Sequence, residues 1–398
     1  FVADISDDFD GGSITHDGFA EVAGDCSLKI TRELVWGKDR VRPWMTVSDG
    51  VNTVRFDQGV FVMTTPDEKR GEDPITYDVT GYDLCHLLQD DIGNTYVVAA
   101  GTTYLQAVRD VLTASGVGST ALLAGDMGAT ALPYTMVWGL SDAGPTWLQV
   151  INDLLSVINY EPLWADEQGV FRSGPYADPA TQPVGWTLDT SDDATNIVAP
   201  DRTLSADQYA APNWWRFIRT NMSTTPTEGD GIYTPATNAT DPAQTLVGRI
   251  VRKVVHLDAA DQATLQAQGD KVVQQDQAIT RVWRGSIDPL PVLGHRDVIQ
   301  VNDAGRADKL VCASWTLNLD GSPGAITLGG GKDPEPQPFS GSATATVTQA
   351  SPLRIQIDGA TVDSIANSLD GAAYAVGDRV TCTLRDPVPP LVQGKQTT

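Results

Sequence analysis

No apolar run in this 398-residue chain approaches the ~20 residues that a helix needs to cross a bilayer, so no membrane-spanning segment is expected. Cysteine is scarce. Cys26, Cys85, Cys312 and Cys382 lie far apart, with no C-x-x-C pair and no histidines clustered beside them. That spacing excludes a zinc ribbon and a thioredoxin-type site, and the apolar neighbours of each cysteine suit a small buried hydrophobe. Histidine is equally rare. His16, His86, His256 and His295 are isolated, and neither H-E-x-x-H nor G-x-S-x-G occurs. Core or surface histidine is the better reading of each. Phosphate-loop patterns are missing as well, because Gly329-Gly-Gly-Lys332 lacks the following hydroxyl residue and runs into prolines. By motif the chain offers no catalytic residue, no metal ligand and no cofactor site.

Positive charge is the other shortage. Against 51 acids stand 27 bases, a formal charge of −24. Such a surface repels nucleic acid, which argues against a DNA-binding groove but suits a surface past which DNA slides without sticking. An acidic protein kept soluble by its charge is the plainer reading. Residue 1 is Phe and no signal peptide is visible, as a piece of a longer polypeptide would show.

What is present declares itself most clearly between Thr146 and Tyr176. Leu148, Ile151, Leu154, Leu155 and Ile158 recur three and four apart, the pattern of an amphipathic helix with one buried face. Leu163 and Trp164 begin an extended run, and Glu167-Gln-Gly169 turns the chain before Val170 and Phe171 return. A helix therefore feeds a hairpin, with Pro145 before it and Pro175 closing the unit. It reads as a scaffold joining the sheet-rich segments on either side.

A length of 398 residues allows two to four domains at roughly 100 to 200 residues each. Residues 1–100 alternate apolar with polar in several short runs separated by Asp49-Gly50, Pro66-Asp67 and Gly71-Glu-Asp-Pro74, as antiparallel strands do. A short helix around Tyr82 to Gln89 follows. Within 101–200, Thr102 or Thr103 caps a helix carrying Leu105, Val108, Val111 and Leu112 on one face, ended by Ser115-Gly116. Strand-like alternation resumes at Trp214, a long exposed loop is expected from Asn221 to Thr245, and Ile250 to His256 reads as a strand. Asp258 is expected to cap a helix running to about Gln277. Further strands are expected at Thr280 to Trp283, Asp297 to Val301, Lys309 to Val311 and Ser314 to Leu319, completing 201–330. The Gly/Pro-rich stretch 331–340 reads as a linker crossed by few contacts, and 341–398 as about five short strands fit for a small closed barrel of OB type.

The order of these segments resembles the baseplate-hub, or minor tail, proteins of tailed bacteriophages over nearly the whole chain. The resemblance rests on Arg42-Pro-Trp-Met, Gln58-Gly-Val-Phe-Val, Tyr77-Asp-Val-Thr-Gly-Tyr-Asp-Leu-Cys-His-Leu-Leu, and Ala100-Gly-Thr-Thr. Ile151-Asn-Asp-Leu-Leu, Asn159-Tyr-Glu-Pro-Leu-Trp, Asp207 through Pro212-Asn213, and His295-Arg-Asp-Val extend it. It implies an α+β, mainly β fold: two tube-like β-barrel domains around a small α/β middle, plus a C-terminal OB-fold barrel. It implies a homotrimer whose six barrels match a hexameric tail tube. Such a hub meets the distal tail protein, the tail tube, the tape-measure protein and other tail-tip proteins, and frames the channel through which genome DNA leaves. The implied location is the virion, at the tail tip or baseplate, and the implied role is not enzymatic.

A second reading is a tail-tip cell-wall hydrolase or carbohydrate-binding protein. Asp189, Asp192 and Asp193 could supply paired carboxylates, although close acids are common in so acidic a chain. Trp214, Trp215, Trp283 and Trp315 could form a sugar platform, but aromatics in alternating strands more often fill cores or interfaces. Asp8-Phe-Asp10-Gly11, with Ser6 before and Asp17 after, partly fits a calcium loop yet lacks the preferred acid at the first position and Glu at the last. A solvated acidic turn is the preferred reading there.

Overall fold

The structure, a computed structural model, describes residues 3–395 except 72–73, 118–119, 123–127, 133–134, 139–144, 191–201, 207–208, 210, 221, 223–224, 279–280, 304, 334–339, 352, 358–363, 369–373 and 386–387. Among the described residues strands dominate and three α-helices punctuate them.

The N-terminal strands are joined directly to strands more than 280 residues later. Phe9–Asp17 pairs antiparallel with Gly24–Ile30 on one side and with Arg306–Asn318 on the other, where Ser13 faces Asn318 and Asp17 faces Ser314. One 11-stranded sheet results, running Thr203–Ser205, Val282–Ile287, Gly324–Leu328, Arg306–Asn318, Phe9–Asp17, Gly24–Ile30, Thr76–Asp83, Phe61–Lys69 and Arg40–Val41. Val298–Asp303 branches from Arg306–Asn318 and carries Trp186–Asp189 in parallel. Both halves supply one core, in which Ile14, Leu28, Ile30 and Met63 meet Trp283, Ile299, Leu317 and Leu328. Alternation along each strand puts these residues on a single face.

Where two late strands are expected, at Lys309 to Val311 and Ser314 to Leu319, a single strand Arg306–Asn318 runs through. A register shift between Cys312 and Ser314 explains the difference, since a bulge interrupts alternation without ending the strand. Its first half pairs with Val298–Asp303 and its second with Phe9–Asp17.

The middle core lies around two helices. In α1, Tyr104–Ser115, the Thr103 hydroxyl accepts from Gln106 N and Gly116 at φ 72° ends the helix. In α2, Trp147–Val157, Thr146 caps through Gln149 N at 3.1 Å, and Leu148, Ile151, Leu154 and Leu155 are fully buried against α1. The expected hairpin follows as Trp164–Ala165 and Phe171–Ser173, turned by Asp166 to Gly169. Tyr82 and Asp83 end a strand, and the short helix is the 3-10 turn Leu84–Gln89 capped by Asp83.

A third core covers α3, Gln262–Ala278, against the four-stranded sheet Thr227–Glu228, Gly231–Tyr233, Trp214–Arg219 and Arg252–Leu257. Asp261, not Asp258, caps α3, its Oδ1 accepting from Thr264 N at 2.8 Å. The expected loop 221–245 is only partly a loop, because Gly231–Tyr233 pairs with Trp214–Arg219 and buries Ile232. Its turn-forming composition does not reveal that pairing, which a neighbouring strand imposes.

The last six strands form a separate sheet in the order Ser364–Ile365, Leu353–Ile357, Ser340–Ala350, Arg379–Arg385, Val388–Lys395 and Asn367–Ser368. Its two outer strands are consecutive in the chain, with Ala366 alone between them. Ala345, Val347, Ile355, Tyr374, Val380 and Cys382 fill its core.

Candidate functional site

The hydrogen-bond register fixes the first part of the site. His16 stands opposite Trp315 on adjacent strands, and their rings stack at 5.5 Å with a 19° tilt, as facing cross-strand residues do. On the far side of the cleft, Trp164 from the hairpin stacks on His295 at 4.5 Å and 5°. His16 Nε2 and His295 Nδ1 lie 3.1 Å apart, so four rings form a continuous row. Gln58, Gly59, Asp83 and Glu167 complete a cavity of about 40 Å³, room for a few water molecules.

Burial sets the protonation of this row. It pushes the His16 imidazole down to about 4, with Arg296 adding to the effect and Asp17 opposing it. His295 is held well below its ordinary value by burial, then by Arg296 and His16. At neutral pH both rings are uncharged, so one donates and the other accepts across the 3.1 Å contact. His295 Nε2 is buried without a hydrogen-bond partner among the described residues. Asp83 is raised to about 6 by burial, against the N–H groups of Gly24 at 2.6 Å and Cys85 at 2.8 Å that bond its carboxylate. These groups hold backbone and rings in place, and the arrangement is that of a joint.

Arg296 extends the joint toward the C-terminal segment. Its backbone takes φ 55°, left-handed for a non-glycine residue, in a turn where Gly294 N donates to Asp297 Oδ2 at 2.7 Å. The Arg296 guanidinium lies 4.2 Å over the Phe19 ring, donates through Nε to Gly18 O at 2.7 Å and pairs with Asp333. Lys271 of α3 reaches the same carboxylate at 2.5 Å and stands 5.0 Å over Tyr176. Burial raises Asp333, but Lys271 and Arg296 outweigh it and hold the carboxyl at about 2. Burial raises the nearby Glu161 carboxyl, with Arg296 and Lys271 opposing.

The start of the expected linker is thus pinned. A Cβ on Gly331 would sit 1.8 Å from the Phe19 ring, so glycine here permits close packing instead of slack. The remaining linker residues, 334–339, lie outside the described residues.

The other residues singled out from sequence disperse. All four cysteines are buried free thiols. Asp8 and Asp10 flank the start of the first strand and pair with Arg32 and Lys29, and Gly11 opens a strand bulge instead of a loop turn. Asp17 caps a turn at Phe19 N. Asp189 accepts from Asn302 at 3.3 Å, while Asp192 and Asp193 lie outside the described residues. Trp215 is buried, its Nε1 donating to Asp276 at 2.9 Å, and Trp283 sits in the large core. Trp214 lies under Arg252 and Trp315 under His16, so the four tryptophans make no common platform. His86 bonds Gln89, and His256 is exposed on its strand. No sequence motif marks Trp164, Lys271, Arg296 or Asp333 as a site residue. Two of them, Trp164 and Arg296, fall within the short motifs that carry the family resemblance.

No family model and no curated protein matches the chain by sequence. Solved structures do match. A tail protein from Neisseria meningitidis aligns over 81% of this chain and 92% of its own at 15% identity and a TM-score of 0.56. The 43 kDa tail protein of prophage MuSo2 from Shewanella oneidensis aligns over 80% and 93%, at 13% identity and 0.52. An Escherichia coli type VI secretion component, described as similar to the T4 bacteriophage tail proteins gp27 and gp5, aligns over 98% and 97% at 12% identity and 0.57. That last share includes most of the segment beyond residue 340. The chain therefore shares its fold with these tail proteins and with the type VI secretion component.

Proposed function

We propose that this chain is a structural hub of a phage tail tip or baseplate, located in the virion. Three copies close into a ring of pseudo-sixfold character that joins the tail tube and distal tail protein to the tip proteins. The ring surrounds the end of the tape-measure protein and frames the channel for genome exit. Residues 1–100 and 201–330 supply the two tube-like units, 101–200 the middle, 331–340 the linker and 341–398 an OB-type barrel.

The observation that carries this reading is the direct pairing of Phe9–Asp17 with Arg306–Asn318, which joins both sheet-rich segments in one sheet over one core. A body meant to frame a channel must not shear between its units, and a shared core resists that. The row of four rings and the Arg296–Asp333–Lys271 cluster add fixed joints to the middle and to the C-terminal segment. Consecutive outer strands in the last sheet support a closed barrel there. The charge of −24 suits a wall that duplex DNA passes without adhering. Threefold-averaged imaging of tail tips carrying a tag on this chain tests the reading, with the chain expected as a threefold ring on the tail axis. Its absence from the tip would reject the hub. The hydrolase reading finds no support in the dispersed tryptophans, and a turbidity assay on purified cell wall with no turnover would retire it.

A further inference from the structure

The sheet on α3 turns Trp215 and Phe217 toward the helix, which leaves Trp214 on the opposite face. In register with Trp214 on the parallel neighbour stands Arg252, and Val254 follows on the same face, both exposed. That neighbour, Arg252–Leu257, is an edge strand of its sheet. Arg252 lies 5.7 Å over Trp214, and Arg249 lies 4.5 Å over Tyr209 while donating to its carbonyl at 2.8 Å. Tyr209 is 70% and Leu246 86% exposed. Asn213 fastens this corner, its side chain donating to Arg249 O and accepting from Val251 N. Thr245 bonds both N and O of Arg249. Two arginine-on-aromatic stacks beside exposed Leu and Val thus sit on a braced backbone.

The patch is cationic on a chain whose net charge is strongly negative. Many arginines elsewhere have a carboxylate partner, among them Arg42, Arg55, Arg172, Arg281 and Arg296. Arg249 and Arg252 have none within 4.0 Å among the described residues, as no ion pair involves either. Setting these two charges aside leaves −26 on the remainder, from −24 minus 2. Tyr, Trp and Arg around exposed apolar side chains are the composition of interface centres, from which unpaired Asp and Glu are depleted.

We propose that this face grips the acidic surface of a second copy of the chain. The inference rests on the ring reading above and names the contact that would build it. A patch that meets a different surface on its neighbour forms a heterologous contact, which closes into a ring when the rotation allows. Exposed Glu21, Asp90 and Asp91 show the kind of surface required, since none pairs with a cation among the described residues. Duplex DNA fits less well, because the remaining −26 repels phosphate across the approach.

Sedimentation of the full chain over a concentration series, at low and high salt, tests this. Self-association is expected at low salt and weakens as salt rises. R249E/R252E is expected to raise the dissociation constant at least about tenfold with an unchanged circular dichroism spectrum and melting curve. Leu246→Asp, which removes no charge pair, is expected to weaken it too. Association of R249E/R252E equal to wild type overturns the proposal but leaves the hub reading intact, since another surface would then join the copies. A wild-type chain that stays monomeric throughout also overturns it, as does one retained on duplex DNA through these arginines. Failure of the hub reading is seen separately, in tail-tip imaging.

Discussion

His295 Nδ1 lies 3.1 Å from Nε2 of His16, although the two residues are 279 positions apart. Each ring is covered on its other side by a tryptophan, and neither carries charge at neutral pH. The contact ties the first strand of the large sheet to the turn before Val298–Asp303, and its protonation has consequences for stability.

His16 is depressed from 6.5 to about 4 in the folded chain. The unfolded chain therefore binds the proton more readily between those values, so the contribution of His16 is complete above 6.5 and lost as pH falls toward about 4. His16→Gln is expected to cost stability at neutral pH, with the difference from wild type shrinking across that window. Asp83 works in the opposite direction. Its carboxyl is raised from 3.8 to about 6, so its contribution is complete below 3.8 and falls as pH rises through 6. Urea denaturation of wild type, His16→Gln and Asp83→Asn across this range separates the two slopes.

Asp333 neutralises two cations that have little other access to solvent, Arg296 at 8% and Lys271 at 13% side-chain exposure. Asp333→Ala strands both charges, and a loss of about 3 kcal/mol is expected from chemical denaturation. Because the cluster is mostly buried, added salt should change wild-type stability little through it. A loss below about 0.5 kcal/mol would show the cluster to be no stronger than a surface pair.

Gly331→Ala drives a methyl group into the Phe19 ring and is expected to cost about 1–3 kcal/mol. Combining it with Phe19→Ala should recover part of the loss. Strictly additive effects in this double-mutant cycle would show that the two residues do not meet.

Trp138 and Trp215 use one device in two places, each donating through Nε1 to an aspartate on the neighbouring helix at 2.9 Å: Asp153 for the first, Asp276 for the second. Trp215→Phe is expected to cost about 1 kcal/mol beyond any packing change. Asp276→Ala should cost more, since it also strips Lys253, bonded to the same carboxylate at 2.7 and 2.8 Å. Thermal melts of the two variants order them.

Buried thiols should be inert. Burial pushes Cys26 and Cys312 up to about 12 and Cys85 well above its ordinary value, while Cys382 has no exposure. A chromogenic disulfide reagent is expected to label none of the four quickly in the native chain and all four in denaturant. Fast native labelling of any one would contradict its burial.

What the amino-acid order determined by itself is local. The spacing of Leu148, Ile151, Leu154 and Leu155, a cap at Thr102 or Thr103, and the stop at Gly116 were legible because period and capping chemistry act within one or two turns, whereas the Thr146 cap emerged only in the structure. Helix α3 was harder to bound, since Gln268, Gln275 and Asp276 share its buried face and blur the apolar stripe. Only the tertiary structure decided that Ser13 pairs with Asn318, that Trp164 reaches His295 and that Asp333 turns an expected slack linker into a pinned one. Those contacts join residues more than 30 positions apart, and no periodicity in a single segment encodes which distant partner satisfies its edge, its ring or its charge.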